Sequence, residues 1–205
     1  MVVWESWLPA VLLVGCLLSF SWAMRNFFTQ PAGFTNGMKV ITACAVAFGL
    51  LHLFAILFRS TLTAERSITG SLLYICAAAL FWWTIQTSRG KTFSGAFSPD
   101  APVHLQGDGP YRFIRHPFYT SYILTWIAGW VVAAQWWLIP TVVVMIVIYV
   151  LASSAEEAKF LRSPLAGAYQ QYRFRTGRFL PNFVKLLFDG RSQTEQNIRA
   201  KAMTE

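Results

Sequence analysis

Residues 107–122 read Gly107-Asp108-Gly109-Pro110-Tyr111-Arg112-Phe113-Ile114-Arg115-His116-Pro117-Phe118-Tyr119-Thr120-Ser121-Tyr122. Two arginines, a histidine and three tyrosines crowd the entrance to a long apolar run. Gly107-x-Gly109-Pro110 is a turn signature, with glycines where the backbone needs unusual angles. Pro117 fits the first turn of a helix, where its missing N–H costs nothing. His116 then stands at a helix N-terminus beside Arg112 and Arg115, close to free backbone N–H groups, a setting suited to a carboxylate or phosphate. A plainer reading fits as well: the arginines anchor the helix end at a membrane interface, with Tyr111, Tyr119 and Tyr122 in an aromatic belt.

Downstream, two apolar segments, 119–134 and 136–152, are separated only by Gln135 and its aromatic neighbours, so they should fold back as a tight helical hairpin. Pro140 near the start of the second is tolerated in a membrane helix. Upstream lie three more segments, 7–22, 40–58 and 68–84, with Pro31, Gly33, Asn36 and Gly37 marking a loop between the first two. Each approaches the ~20 apolar residues that a bilayer requires. Ser21-Trp22-Ala23 resembles a cleavage site, but no Lys or Arg precedes segment one and Glu5 stands there instead, so it reads as a retained helix. With 55% hydrophobic and 13% charged residues and a mean hydropathy of +0.45, the 205-residue chain is too apolar for an ordinary soluble domain. The expected fold is an all-α integral membrane protein of five transmembrane helices, with a tight helix 4–5 hairpin and a cytoplasmic C-terminal helical region.

Charge sets the expected orientation. With the N-terminus outside, 15 of the 17 Lys and Arg fall in 24–39, 86–118 and 153–205, and only Arg59 and Arg66 fall on the far side. Positive residues concentrate on the cytoplasmic side, which puts the 107–122 motif and the C-terminal region together there. The net charge of +8 is thereby explained by topology and anionic lipid, and no nucleic-acid partner is expected. Cys16, Cys44 and Cys76 each sit in an apolar run, without disulfide or metal-ligand spacing.

Beyond residue 152 the apolar pattern stops, yet nothing breaks the helix before Ser163-Pro164, so it should protrude by about two turns. Ser163 as N-cap and Pro164 as first helical residue would restart a helix through Thr176, ended by Gly177. Residues 183–188 form a short amphipathic piece suited to the membrane surface, and 191–205 a polar tail. Residues 1–190 read as one membrane-embedded domain.

Chemistry is sparse. No CxxC pair, HExxH or P-loop occurs, and no metal site is expected. His52, in mid-span, reads as a neutral histidine bonded to a neighbouring helix. Glu156 and Glu157 either form a solvated helix face, with Lys159 pairing Glu156, or an anionic site opposite the cationic helix entrance that would embrace a zwitterion. Arg173, Arg175 and Arg178, interleaved with Tyr169, Tyr172 and Phe174, could close over such a site or hold lipid head groups. On this basis Glu157, Tyr172 and Arg173 are candidate substrate-binding residues.

The run Gly109-Pro110-Tyr111-Arg112-Phe113-Ile114-Arg115-His116-Pro117-Phe118-Tyr119 resembles the G-P-Y-R-x-x-R-H-P-x-Y signature of the isoprenylcysteine carboxyl methyltransferase family, to which phospholipid N-methyltransferases are related. Glu156-Glu157, Leu161, Gly167-x-Tyr169-x-x-Tyr172 and Arg178-Phe179-Leu180-Pro181 resemble that family's ending. The resemblance covers about 80–181, the catalytic half of the domain, and implies methyl transfer from S-adenosyl-L-methionine in a membrane pocket. Val103, His104, Leu105, Gln106, Tyr111, His116, Pro117, Phe118, Tyr119 and Glu156 would line the cofactor site. The donor's carboxylate suits a helix N-terminus, its ammonium suits Glu156, and its sulfonium and adenine suit aromatic faces.

Two positions depart from that pattern. The family's arginine one turn before the first glutamate is Ala152 here, which argues against a prenylcysteine carboxylate as acceptor. Tyr119 is followed by Thr120-Ser121 where the family often has Gly. The expected acceptor is a lipid or hydrophobic small molecule, methylated on oxygen, nitrogen or sulfur. A non-catalytic membrane subunit or transporter-like protein keeping the fold is the alternative.

Overall fold

The computed structural model describes residues 4–27, 36–59, 62–89 and 104–182. Val103, the amphipathic piece 183–188 and the tail 191–205 lie outside the described residues. Six α-helices follow in order: α1 Trp4–Asn26, α2 Asn36–Phe54, α3 Ala64–Ser88, α4 Pro117–Ala133, α5 Ile139–Leu161 and α6 Ala166–Arg175. No strand occurs among the described residues; Ile114 and Gly177 form an isolated parallel bridge.

Among the described residues, four helical stretches are long and apolar enough to cross a membrane: Trp7–Asn26, Asn36–Phe58, Ala64–Ser88 and Trp136–Leu161. Their outward faces remain apolar, with Val11, Leu18, Leu50, Leu72 and Leu151 all more than half exposed. A helix apolar on both its packed and its open face is built for lipid. The fourth expected span, α4, is 17 residues, about 26 Å at 1.5 Å per residue. It is the most enclosed of the long helices, packed against α3 along its length and also touching α1, α2 and α5.

Small residues allow that packing. A Cβ on Gly70 of α3 would stand 2.1 Å from Val132 Cγ2 and 3.3 Å from the Ala128 carbonyl of α4. Gly70, the one helix-weakening residue in its segment, is therefore a contact point between α3 and α4. Residue 129 of α4 is held to glycine by His52, whose Nδ1 would lie 2.4 Å from an added Cβ. His52 Nε2 pairs with Thr141 Oγ1 of α5 at 2.8 Å, the interhelical contact expected of it.

Boundaries differ from the expected ones for local reasons. Helix α3 begins at Ala64 because Thr63 caps it, accepting from the Arg66 N–H at 3.4 Å, with Glu65 in the first turn. The hairpin between α4 and α5 closes through Ala134 in the left-handed region (φ 49°) and a 3₁₀ turn, Trp136–Leu138. Ser163 does not cap α6. Its hydroxyl donates to the Phe160 carbonyl at 2.8 Å and accepts from the Leu165 N–H at 3.1 Å, which finishes α5 in a turn. Helix α6 accordingly starts at Ala166, with Leu165 as its N-cap, and Thr176 caps its C-terminus.

One apolar cluster, containing Phe81, Phe118, Tyr119, Tyr122, Trp126, Met145, Tyr149 and Ala152, lies under the α4 entrance. A second, containing Leu13, Ile56, Tyr74, Val132 and Leu138, fills the bundle at the α4–α5 hairpin end.

Candidate active site

The site forms where the α4 N-terminus, the last turns of α5 and the segment after α6 converge. Pro110 and Tyr111 start a 3₁₀ turn, Gly109–Arg112. Gly109 has φ +56°, and a Cβ there would lie 2.3 Å from Thr87 Oγ1, so glycine seats this turn against the end of α3. His116 is the N-cap of α4 and Pro117 its first residue.

The backbone then acquires a strap. Arg115 N–H donates to the Gly177 carbonyl at 2.8 Å, His116 N–H to the Arg178 carbonyl at 3.1 Å, and Gly177 N–H to the Phe113 carbonyl at 3.3 Å. The Thr120 hydroxyl bonds the Phe179 carbonyl at 3.1 Å, and the Tyr172 hydroxyl donates to the Tyr111 carbonyl at 2.7 Å. A Cβ at Gly177 would stand 1.7 Å from the Leu180 carbonyl oxygen, so the strap can turn back only on glycine.

Two carboxylates meet this entrance in different ways. Glu157 is buried and takes three guanidiniums and an imidazole: Arg115 Nε at 3.0 Å, His116 Nε2 at 3.2 Å and Arg178 Nε at 3.2 Å on Oε1, and Arg173 Nε at 3.4 Å on Oε2. Arg115 also donates to the carbonyls of Arg173 and Thr176. Glu156 is more open, its side chain 28% exposed against 4% for Glu157. It accepts from the Tyr119 hydroxyl at 2.5 Å and faces His116 Nδ1 at 3.5 Å. Burial by itself would lower the His116 pKa. Its hydrogen bonds to Glu156 and Glu157 and their charges outweigh that and hold the imidazole above its ordinary 6.5.

Aromatic faces line the interior side. Tyr119 stacks on Tyr149 with centroids 5.6 Å apart and on His116 at 5.7 Å. Trp126 Nε1 donates to the Tyr149 hydroxyl at 3.2 Å. Ala152, one turn before Glu156, is fully buried in this cluster.

The structure thus gathers His116, Pro117, Phe118, Tyr119, Glu156, Glu157 and Arg173 in one place, with Tyr111 and Tyr172 joined beside them. His104, Leu105 and Gln106 run irregularly from exposed to buried just before the turn. Several participants had escaped notice in the sequence. Tyr149 looked like one more apolar-run residue, although it lies seven positions, about two turns, before Glu156. Phe179 stood in the family-like ending and Thr120 in a departure from the family pattern, but neither was read as a contact of the site.

Residues 70–162 match the isoprenylcysteine carboxyl methyltransferase (ICMT) family. The match runs from the first turns of α3 to the end of α5, and so takes in the α4 entrance and both glutamates. The family resemblance read from the motif is therefore shown for this part of the chain. No curated protein matches the chain significantly. The ICMT family implies a membrane methyltransferase using S-adenosylmethionine, in keeping with the four apolar helices. The donor set fits such a group: a partly open carboxylate, a cationic helix entrance and stacked tyrosines suit an ammonium, a carboxylate and a sulfonium respectively.

Proposed function

We propose that this protein is a membrane-embedded methyltransferase that binds S-adenosyl-L-methionine at the α4 entrance and methylates a hydrophobic or amphiphilic acceptor arriving from the bilayer. The observation that carries this reading is the convergence of His116, Tyr119 and Glu156 beneath a strap, with Glu156 alone of the two carboxylates left partly open. When bound, the cofactor supplies an activated methyl group. The chain's part is to bind, orient and exclude water, which can account for much of the acceleration of an in-line displacement. The α4 N-terminus would take the donor's carboxylate, Glu156 its ammonium, and Tyr119 its cationic centre, with His116 bracing Glu156 and Val103 to Gln106, Tyr111, Pro117 and Phe118 completing the wall.

Five spans, with α4 as the enclosed fourth, an outer N-terminus and a cytoplasmic site, give the arrangement that agrees with the Lys and Arg distribution. Tyr172 and Arg173 stand on the acceptor side of the strap in this reading. Ala152 places a methyl group among aromatic rings where the family pattern has an arginine, which argues against a prenylcysteine carboxylate as the acceptor. Calorimetry of the purified protein with S-adenosylhomocysteine tests the proposal. Binding that is weakened by His116→Ala and by Glu156→Ala is expected; no binding to folded wild type overturns it.

A further inference from the structure

Glu157 was a candidate substrate ligand, yet both of its oxygens are already engaged by the protein. The four contacts come from three parts of the site: Arg115 and His116 from the α4 entrance, Arg173 from α6 and Arg178 from the strap. One buried carboxylate holding three guanidiniums and an imidazole is costly to desolvate, and the cost is offset only because its hydrogen-bonding capacity is nearly filled. His116 is itself held at both ring nitrogens, by Glu157 on Nε2 and by Glu156 on Nδ1. The imidazole therefore sits as a rigid spacer between the closed carboxylate and the open one.

We propose that Glu157 is a positioning residue: it fixes the ring plane and charge of His116, and through His116 the orientation of Glu156, without touching donor or acceptor. This rests on the reading of His116 and Glu156 as donor-site residues. The charged and titratable groups facing His116 are Glu156 and Glu157 from α5, Arg115 beside it, Tyr119 from α4, and, through Glu157, Arg173 of α6 and Arg178 of the strap. Removing the Glu157 charge leaves three guanidiniums near the imidazole with one carboxylate fewer between them, and disfavours the imidazolium. Removing Arg178 has the opposite effect.

The test is a histidine-selective NMR titration of the full-length protein in detergent micelles, paired with S-adenosylhomocysteine affinity measured across the same pH range. The chain has only three histidines, and His116→Gln assigns the signal. Glu157→Gln should move the His116 midpoint to lower pH, Arg178→Gln should move it to higher pH, and the pH at which affinity falls should move in step. Affinity in Glu157→Gln at neutral pH should drop about tenfold, the scale of a hydrogen bond to a charged group. A Glu157 that merely stabilises the fold would lower affinity evenly and leave the midpoint where it was, which overturns the proposal. Should Glu157→Gln not fold, Arg178→Gln decides alone, since Arg178 is 31% exposed and its loss leaves the other three contacts in place. If the midpoints move as expected but wild type binds no S-adenosylhomocysteine, the coupling stands and the donor-site reading falls.

Discussion

The Tyr119 hydroxyl donates to Glu156 Oε1 at 2.5 Å, linking the first turn of α4 to the point where α5 leaves its apolar stretch. Tyr119→Phe deletes this bond and keeps the ring that stacks on Tyr149 and His116. The fold should persist while S-adenosylhomocysteine affinity falls about tenfold. Calorimetry measures the affinity, and an unchanged constant would show that Tyr119 does not orient Glu156 for the ligand.

Gly177 allows the Leu180 carbonyl to approach to a distance no side chain permits. Gly177→Ala should push the strap off the α4 entrance. Amide exchange at Arg115 and His116, whose N–H groups donate to the strap, should accelerate, with protection in α3 and α5 unchanged. Equal protection of Arg115 in both proteins would contradict the pairing.

Protonation of His116 should stabilise the fold on one side of neutrality. Its folded pKa is raised above the ordinary 6.5, so its contribution is fully present below that ordinary value and is lost as pH rises through the folded one. Thermal unfolding in detergent should therefore show a His116-dependent decline in Tm across this interval on the alkaline side of 6.5. His116→Gln should remove that part of the slope; a slope that is identical in the variant rejects the assignment.

Residue 129 tests the packing of the bundle independently of the site. Alanine there would bring a Cβ to 2.4 Å from His52 Nδ1 and 3.0 Å from the Tyr74 hydroxyl. Overpacking of this kind costs about 1–3 kcal/mol. Gly129→Ala should lower the Tm measurably and leave ligand affinity nearly unaltered, because Gly129 lies near the end of α4 remote from His116.

Acceptor assays carry a negative expectation. Ala152 is fully buried among Phe118, Tyr119 and Tyr149, so a prenylated cysteine with a free carboxylate should not gain a methyl group. Turnover of that compound, followed by mass spectrometry, would refute the reading of Ala152.

Much of the fold was legible because lipid solvent demands long uniform runs: the segments around Leu13, Leu50, Tyr74 and Val144 announce themselves by length and apolarity alone. Helix ends were less legible. Ser163-Pro164 has the composition of a helix start, but a serine can equally close the preceding turn, and the Phe160 carbonyl was the nearer partner. In the site, His116 and the two glutamates were visible as charges beside apolar runs. The difference between Glu156 and Glu157 was not, because adjacent residues on a helix point about 100° apart and only the packing says which one meets the strap. Thr120, Tyr149 and Phe179 act through contacts with residues far along the chain, which no local pattern encodes.

The strap also dictates an order of assembly. Arg115 finds its partner carbonyl at Gly177, sixty-two positions later, after every helix of the bundle has been made. A growing chain can thus place all its apolar helices in the bilayer while the α4 entrance still lacks its cover. Arg115 and His116 must then wait, together with Glu157, for Gly177 and Arg178 to be synthesised. Closure of the site has to follow synthesis of Gly177 and Arg178, so a chain truncated before residue 177 should insert normally and remain open.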